Sequence, residues 1–214
     1  MAARCWVVAV GLAWIAAVAE AAPEGAAFLV PPAPGIWKSG VGHGFRRGAR
    51  EAGAAAAAGF GVRAAGGVRK HDLALASGHY GWVLTDVLAA DRWYRGNVEL
   101  LAEVFAGGQL HPDSGYFVGV TPLLRYNFAT GSRWVPFVEA GAGLSVTNID
   151  GDGPDLSGNF QFNLQGGAGT HYFLRDDLAL TVGYRWLHFS NAGIDSPNKG
   201  TNTQMFRIGV TWFF

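Results

Sequence analysis

FQFNLQGGAGTHYFL, residues 160–174, sorts its side chains by parity into two chemically different sets. Phe160, Phe162, Leu164, Ala168, Tyr172 and Leu174 share one face, while Gln161, Asn163, Gln165 and His171 share the other. A period of two is the signature of an extended strand. The apolar face suits hydrocarbon and the opposite face suits water. A soluble β-sandwich also alternates, but its polar face is rich in lysine and glutamate rather than Asn, Gln, Gly and isolated charges.

The same sorting recurs on both sides of this stretch. Val118, Val120, Pro122, Leu124 and Tyr126 oppose Thr121, Arg125 and Asn127, and Val98, Leu100, Ala102 and Val104 oppose Asn97, Glu99 and Glu103. FRIGVTWFF, residues 206–214, puts Phe206, Ile208, Val210, Trp212 and Phe214 on one face, and this aromatic ending resembles the C-terminal signature of bacterial outer-membrane barrels. An apolar outside with a polar inside is the barrel solution in lipid, where each backbone group must be paired and no sheet edge can stay open. The expected fold is all-β: an eight-stranded antiparallel transmembrane β-barrel of the outer-membrane type. Its strands are expected at 36–47, 71–86, 95–106, 116–128, 134–147, 160–173, 178–190 and 203–214. An even count puts both ends on the periplasmic side, with ATGSR and LRDD among the short turns there and NIDGDGPDLSG and NAGIDSPNKGT at the cell surface. Residues 48–67, with five consecutive alanines at Ala54–Ala58, read as a low-complexity first surface loop, unless the first strand lies later, in AAGFGVRA.

The N-terminal segment agrees with export. Residues 1–21 carry Arg4, an apolar run from Trp6 to Val18 and the small-x-small pattern Ala19, Glu20, Ala21, the layout of a cleavable signal peptide. Residues 22–34, with Pro23, Pro31, Pro32 and Pro34, are expected to be an irregular periplasmic lead-in, and 35–214 the barrel. Beyond residue 21 no stretch is apolar for 18 residues, which argues against a helical membrane protein. Cys5 is the only cysteine and lies inside the signal, so no disulfide or cysteine-based metal site is expected. Without residues 1–21 the chain holds 15 basic and 15 acidic residues, a balance that gives no reason to expect nucleic acid. A pore is the weakest reading, because side chains fill the interior of a barrel of eight strands.

Chemistry concentrates in YRWLHFSNAG, residues 184–193. Parity carries the apolar face of Leu180, Val182, Tyr184 and Trp186 on to His188 and Ser190, so both point outward at the rim. Two residues apart on one strand face, their Cβ atoms stand about 6–7 Å apart, within reach of a Ser–His hydrogen bond. Such a pair makes a hydroxyl nucleophilic towards an acyl carbonyl, with the imidazole accepting and then returning the proton. The plainer reading is two polar residues marking the membrane interface.

HFSNAG followed by SPNKG, on the penultimate strand of an exported barrel, closely resembles the lipid A 3-O-deacylase (PagL-type) family, also called acyloxyacyl hydrolases. The resemblance is sharpest from Tyr184 to Phe214. It implies hydrolysis of the ester-linked acyl chain at position 3 of lipid A in the outer leaflet, with Ser190 as nucleophile, His188 as base and no cofactor. It implies motif or oxyanion roles for Asn191, Gly193 and Asn198, although turn chemistry alone also places Asn beside Gly and Pro. The partner so implied is lipid A or lipopolysaccharide in the membrane; self-association as a homodimer is left open.

One position departs from the family pattern. The family has a glutamate twelve residues after the nucleophile, where this chain has Asn202. By parity Asn202 faces outward beside His188. An amide oxygen can hold an imidazole but cannot neutralise an imidazolium, and in serine proteases the same exchange of acid for amide lowers turnover ~10⁴-fold. Asp195 is the substitute acid to test, and a non-catalytic barrel of the same fold, in a structural or surface-interaction role, is the alternative. Glu99, Glu103, Arg125, Glu139 and Arg185 lie on inward faces and read as charge pairs plugging the lumen. His43, His71, His79 and His171 show no metal-ligand spacing, and the GVGHG and GGAG runs open no helix as a phosphate loop would.

Overall fold

The computed structural model describes residues 40–150 and 153–214. The expected signal peptide (1–21) and lead-in (22–34) lie outside the described residues. Eight strands follow in order: β1 Arg50–Gly61, β2 Asp72–Val83, β3 Gly96–His111, β4 Gly115–Phe128, β5 Trp134–Thr147, β6 Phe160–Phe173, β7 Leu178–Ser190 and β8 Thr201–Phe213. Each pairs antiparallel with its sequence neighbours, and β1 pairs with β8 to close the barrel.

The first strand is not at 36–47. A 3₁₀ turn, Val41–Phe45, occupies part of that region, and β1 begins at Arg50. Gly40, Gly42, Gly44 and Gly48 all have positive φ, as does Phe45, a backbone that cannot enter a sheet ladder. The alanine run 54–58, expected as a loop, is instead the middle of β1, paired on both sides from Ala54↔Gly78 and Ala54↔Val210 to Ala58↔Ala74 and Ala58↔Phe206. β3 also runs on to His111, so the surface connection 112–114 is short, whereas the periplasmic connection 84–95 is long.

The lumen is solid and layered. At the periplasmic end Val41, Phe45, Ala49, Val83, Phe173 and Phe213 form an apolar stopper, with Phe45 against Phe213 at 4.8 Å between ring centroids. Above it lies a charged belt. Arg125 reaches Glu51 at 2.8 Å and Glu139 at 3.0 Å, Arg207 reaches Glu139 at 3.0 Å, and Arg185 binds both Glu139 and Glu103. Near the surface end Leu73, Phe105, Phe117, Leu187, Phe189 and Met205 form a second apolar cluster. The inward faces assigned to Glu99, Glu103, Arg125, Glu139 and Arg185 match this arrangement.

Outside, the parity is the reverse. Val104, Leu144, Phe206 and Ile208 are exposed on the face that meets lipid. Aromatic pairs ring the end that carries the 129–133 and 174–177 turns, including Tyr80–Trp82, Tyr126–Phe128 and Trp134–Tyr172, as in the interfacial girdles of this class. No described helix is long and apolar enough to cross a membrane; the strands make the crossing.

Candidate active site

Phe189 fixes the local geometry of the rim. It is fully buried in the upper apolar cluster, 5.5 Å from Phe117 between ring centroids, and so holds the last turn of pleat in β7. Alternation then forces its neighbours His188 and Ser190 onto the outer face, where both are half-buried. Ser190 lies opposite Phe162 of β6, and His188 lies opposite Asn202 of β8.

His188 Nδ1 and Asn202 Oδ1 are 2.9 Å apart. The other half of the same amide, Asn202 Nδ2, donates to Ala64 O in the β1–β2 connection at 2.8 Å. That second bond fixes which amide atom is oxygen, and therefore which imidazole nitrogen carries hydrogen. Nδ1–H donates to Asn202 Oδ1, so in the neutral ring Nε2 carries the lone pair. The Trp186 ring stacks on the imidazole, 5.5 Å between centroids and 16° between planes. Gly200 lies against the Cε1–Nε2 edge of the ring: with φ +78, a Cβ added there would lie 2.5 Å from His188 Cε1, so both the backbone and the space demand glycine. Asn202 shares the lipid-facing parity but is only 2% exposed, because the β1–β2 connection folds over it. Ser190 and His188 do not hydrogen-bond to each other in this structure. Catalytic hydrogen bonds are often long before substrate binds.

Asn191, Gly193 and Asn198 come together in the β7–β8 connection and bond to one another. Asn191 N donates to Asn198 Oδ1 at 2.9 Å, and Gly193 N donates to Asn191 Oδ1 at 2.9 Å. Asn191 Nδ2 donates to Asp195 O and Ser157 O, joining this connection to the one between β5 and β6. Ala192 and Gly193 have positive φ, which makes the turn after Ser190 sharp. Asp195 is exposed and its carboxylate accepts from Ser196 N at 2.7 Å, while His188 Nδ1 is already held by Asn202.

Sequence reasoning missed the residues that organise these connections. His71, Asp150 and Asp155 are buried with donor atoms within 4.8 Å of one another, a set that sequence spacing did not reveal. Asp155 Oδ1 and Oδ2 accept from Val68 N (2.7 Å) and Arg69 N (2.8 Å), and Asp150 Oδ2 accepts from Asp155 N and Leu156 N. Backbone amides thus satisfy both carboxylates, which makes the group a clasp between connections. In DGPDLSG nothing but a turn-forming composition marks Asp155 out.

Comparison with known proteins points by sequence to one family and by structure to the outer-membrane β-barrel fold. The model of the family described as lipid A 3-O-deacylase (PagL) matches residues 59–211. Lipid A deacylase PagL of Pseudomonas aeruginosa is 29% identical over 117 residues, which cover 50% of this chain and 64% of that protein; the match thus spans just under two thirds of the relative's length. Among solved structures, the outer membrane enzyme PagL matches with a TM-score of 0.57 at 20% identity, over 73% of this chain and 97% of that one. Neisserial surface protein A matches with a TM-score of 0.53 at 18% identity, over 78% and 100%. At these identities the structural matches speak for the fold, an outer-membrane β-barrel, and the family model speaks for kinship. The chain belongs to the lipid A 3-O-deacylase (PagL) family of outer-membrane β-barrels.

Proposed function

We propose that this barrel is a serine esterase of the outer membrane that removes the 3-O-linked acyl chain of lipid A. One observation carries the reading: the Asn202 amide, oriented by Ala64 O, holds His188 Nδ1–H and leaves Nε2 basic on the lipid-facing rim that also presents Ser190. Ser190 Oγ attacks the ester carbonyl as His188 Nε2 takes its proton. The tetrahedral intermediate collapses, the proton passes to the 3-oxygen of the glucosamine, and the acyl chain stays on Ser190. Water, deprotonated by the same nitrogen, then releases the fatty acid and restores the serine.

An oxyanion needs preset donors, each worth about 3–4 kcal/mol. Asn198 Nδ2 is the donor left over by the Asn191–Asn198 bond, and the sharp turn at Ala192–Gly193 supplies backbone amides beside it. Gly193 N joins only when its bond to Asn191 Oδ1 opens. Asn202 orients the base in place of an acid. Asp195 has no part in this scheme.

The alternative is a non-catalytic barrel with a structural or surface-interaction role, favoured by the uncharged Asn202 and by the absence of a resting Ser190–His188 bond. Mass spectrometry of lipid A from cells expressing the wild type or Ser190→Ala separates the two. Loss of one 3-O-acyl chain with the wild type alone supports the esterase. If both profiles match the empty-vector control, lipid A is not the substrate.

A further inference from the structure

The β1–β2 and β7–β8 connections have almost nothing apolar of their own to hold them. Val68 is 43% exposed and Ile194 is 70% exposed, and the rest is mostly Gly, Ala, Asn and charged side chains. Yet these connections supply the two contacts that set the imidazole: Ala64 O on the Asn202 amide, and Gly200 against the ring. Hydrogen bonds must therefore do the positioning; besides Val62 N on Asn202 O (2.9 Å), they converge on one residue of the β5–β6 connection.

Asp155 is fully buried. Its carboxylate accepts Val68 N and Arg69 N from the β1–β2 connection, and its carbonyl accepts Lys199 N (2.8 Å) and Gly200 N (3.0 Å) from the β7–β8 connection. Its own N–H is tied to Asp150 Oδ2, so the residue cannot drift with either partner. His71 lies against it from the barrel side. Gln109 Nε2 donates to Asp113 O at 2.7 Å, Gln109 Oε1 is 2.7 Å from His71 Nδ1, and His71 Nε2 is 3.2 Å from Asp155 Oδ2. Thr203 Oγ1, next to Asn202 in β8, donates to His71 O, which joins this clasp to the strand that carries the amide.

We propose that Asp155 is a positioning residue for His188: by clasping the β1–β2 and β7–β8 connections it brings Ala64 O to the Asn202 amide and presses Gly200 against the imidazole. The inference rests on the reading of Ser190 and His188 as nucleophile and base. Without the carboxylate, Val68 N and Arg69 N lose their acceptors, and Ala64 is held near Asn202 only by Val62 N on Asn202 O (2.9 Å) and by the turn bond from Gly67 N to Ala64 O (3.0 Å). The Asn202 amide is then free to flip and present Nδ2–H to His188, which removes the acceptor that holds Nδ1–H. A displacement on the order of 1 Å at a catalytic group costs about 100-fold in rate.

The test compares full-length wild type, Asp155→Ala and Asp155→Asn, refolded in detergent micelles, in three readouts. Heat-modifiable mobility on gels reports barrel closure; kcat and KM on purified lipid A report turnover; the ¹⁵N-imidazole spectrum, assigned with His188→Asn, reports the Nδ1–H of His188. For Asp155→Ala the expected result is a closed barrel, kcat lower by about 10- to 100-fold, KM within about twofold, and a lost or broadened Nδ1–H signal. Asp155→Asn keeps one acceptor oxygen and is expected to fall between; it carries the test by the same readouts if the alanine variant does not fold. A closed barrel with kcat within about twofold of wild type overturns the proposal, and so does a fall in kcat with the Nδ1–H signal unchanged. If the wild type itself leaves lipid A intact, the esterase reading fails separately, and the imidazole spectra alone decide whether Asp155 positions His188.

Discussion

His171 and His188 sit on adjacent strands of one barrel, and their surroundings could hardly differ more. His171 is fully buried in the lumen: Nδ1 meets Thr181 Oγ1 at 2.8 Å, Nε2 lies 3.4 Å from Arg125 Nη1, and Phe137 packs 4.8 Å from the ring. Both nitrogens are spent on structure. His188 is half-buried on the outer face, with Nδ1 held by Asn202 and one face covered by Trp186. The lumen commits most of its polar groups to one another, as the low-dielectric interior requires. The rim leaves an imidazole nitrogen and a hydroxyl on the lipid-facing side, the two groups the proposed reaction uses. Inward polarity in this barrel builds the wall, and the outward polarity at the rim, placed where burial does not demand it, is what the proposed chemistry rests on.

Replacing each histidine in turn is the strongest way to break that contrast. His188→Ala should lower kcat on lipid A by about 10³- to 10⁴-fold, the upper range for loss of a general base, with no change in the temperature at which the barrel loses heat-modifiable mobility. His171→Ala should do the reverse, lowering that temperature while each folded molecule turns over within about twofold of wild type. Equal rate losses in the two variants would dissolve the distinction. Next in size is Glu139→Gln, which removes the negative charge shared by Arg125, Arg185 and Arg207 and leaves them one acceptor oxygen. Breaking a buried pair by removing one partner costs about 3–5 kcal/mol, measurable as a lower urea midpoint in lipid vesicles. A midpoint within error of wild type would mean the belt is not what holds the lumen.

Gly200→Ala sharpens the rim side. A methyl 2.5 Å from His188 Cε1, on a backbone at φ +78, should displace the ring and lower kcat about 10- to 100-fold with the barrel still closed. Unchanged kcat there would show that the ring has room to move. The smallest effect is expected from Asn202→Glu. The carboxylate gains charge stabilisation of the imidazolium and loses the donor to Ala64 O, a neutral bond worth about 1 kcal/mol, so a rise in kcat of about tenfold is expected. An unchanged or lower kcat would sink the idea that a missing acid limits the rate.

Much of the wall could be read from the chain because hydrophobic contrast was strong there. β5, β6 and β7 begin and end where parity put them, since Phe, Val and Leu alternate with Gln, Asn and charged residues. β1 was misplaced because Ala against Gly carries almost no contrast, and because the Gly-rich stretch before it mimicked a strand while its positive φ angles forbid one. Parity put His188 and Ser190 on one face, and counting placed Asn202 beside them. What the chain could not reveal was the burial of Asn202 or the part played by Asp155. Those depend on contacts between residues 138 and 87 positions apart, Asn202 with Ala64 and Val68 with Asp155, made by loops whose composition signals only turns.

The stopper formed by Val41, Phe45 and their neighbours, with the charged belt and the second apolar cluster above it, fills the lumen of the described residues with side chains, as expected for a barrel of eight strands. Each copy should then be electrically and osmotically silent. Abundance would be decoupled from permeability: the number of copies in the membrane could rise without opening the envelope to small solutes.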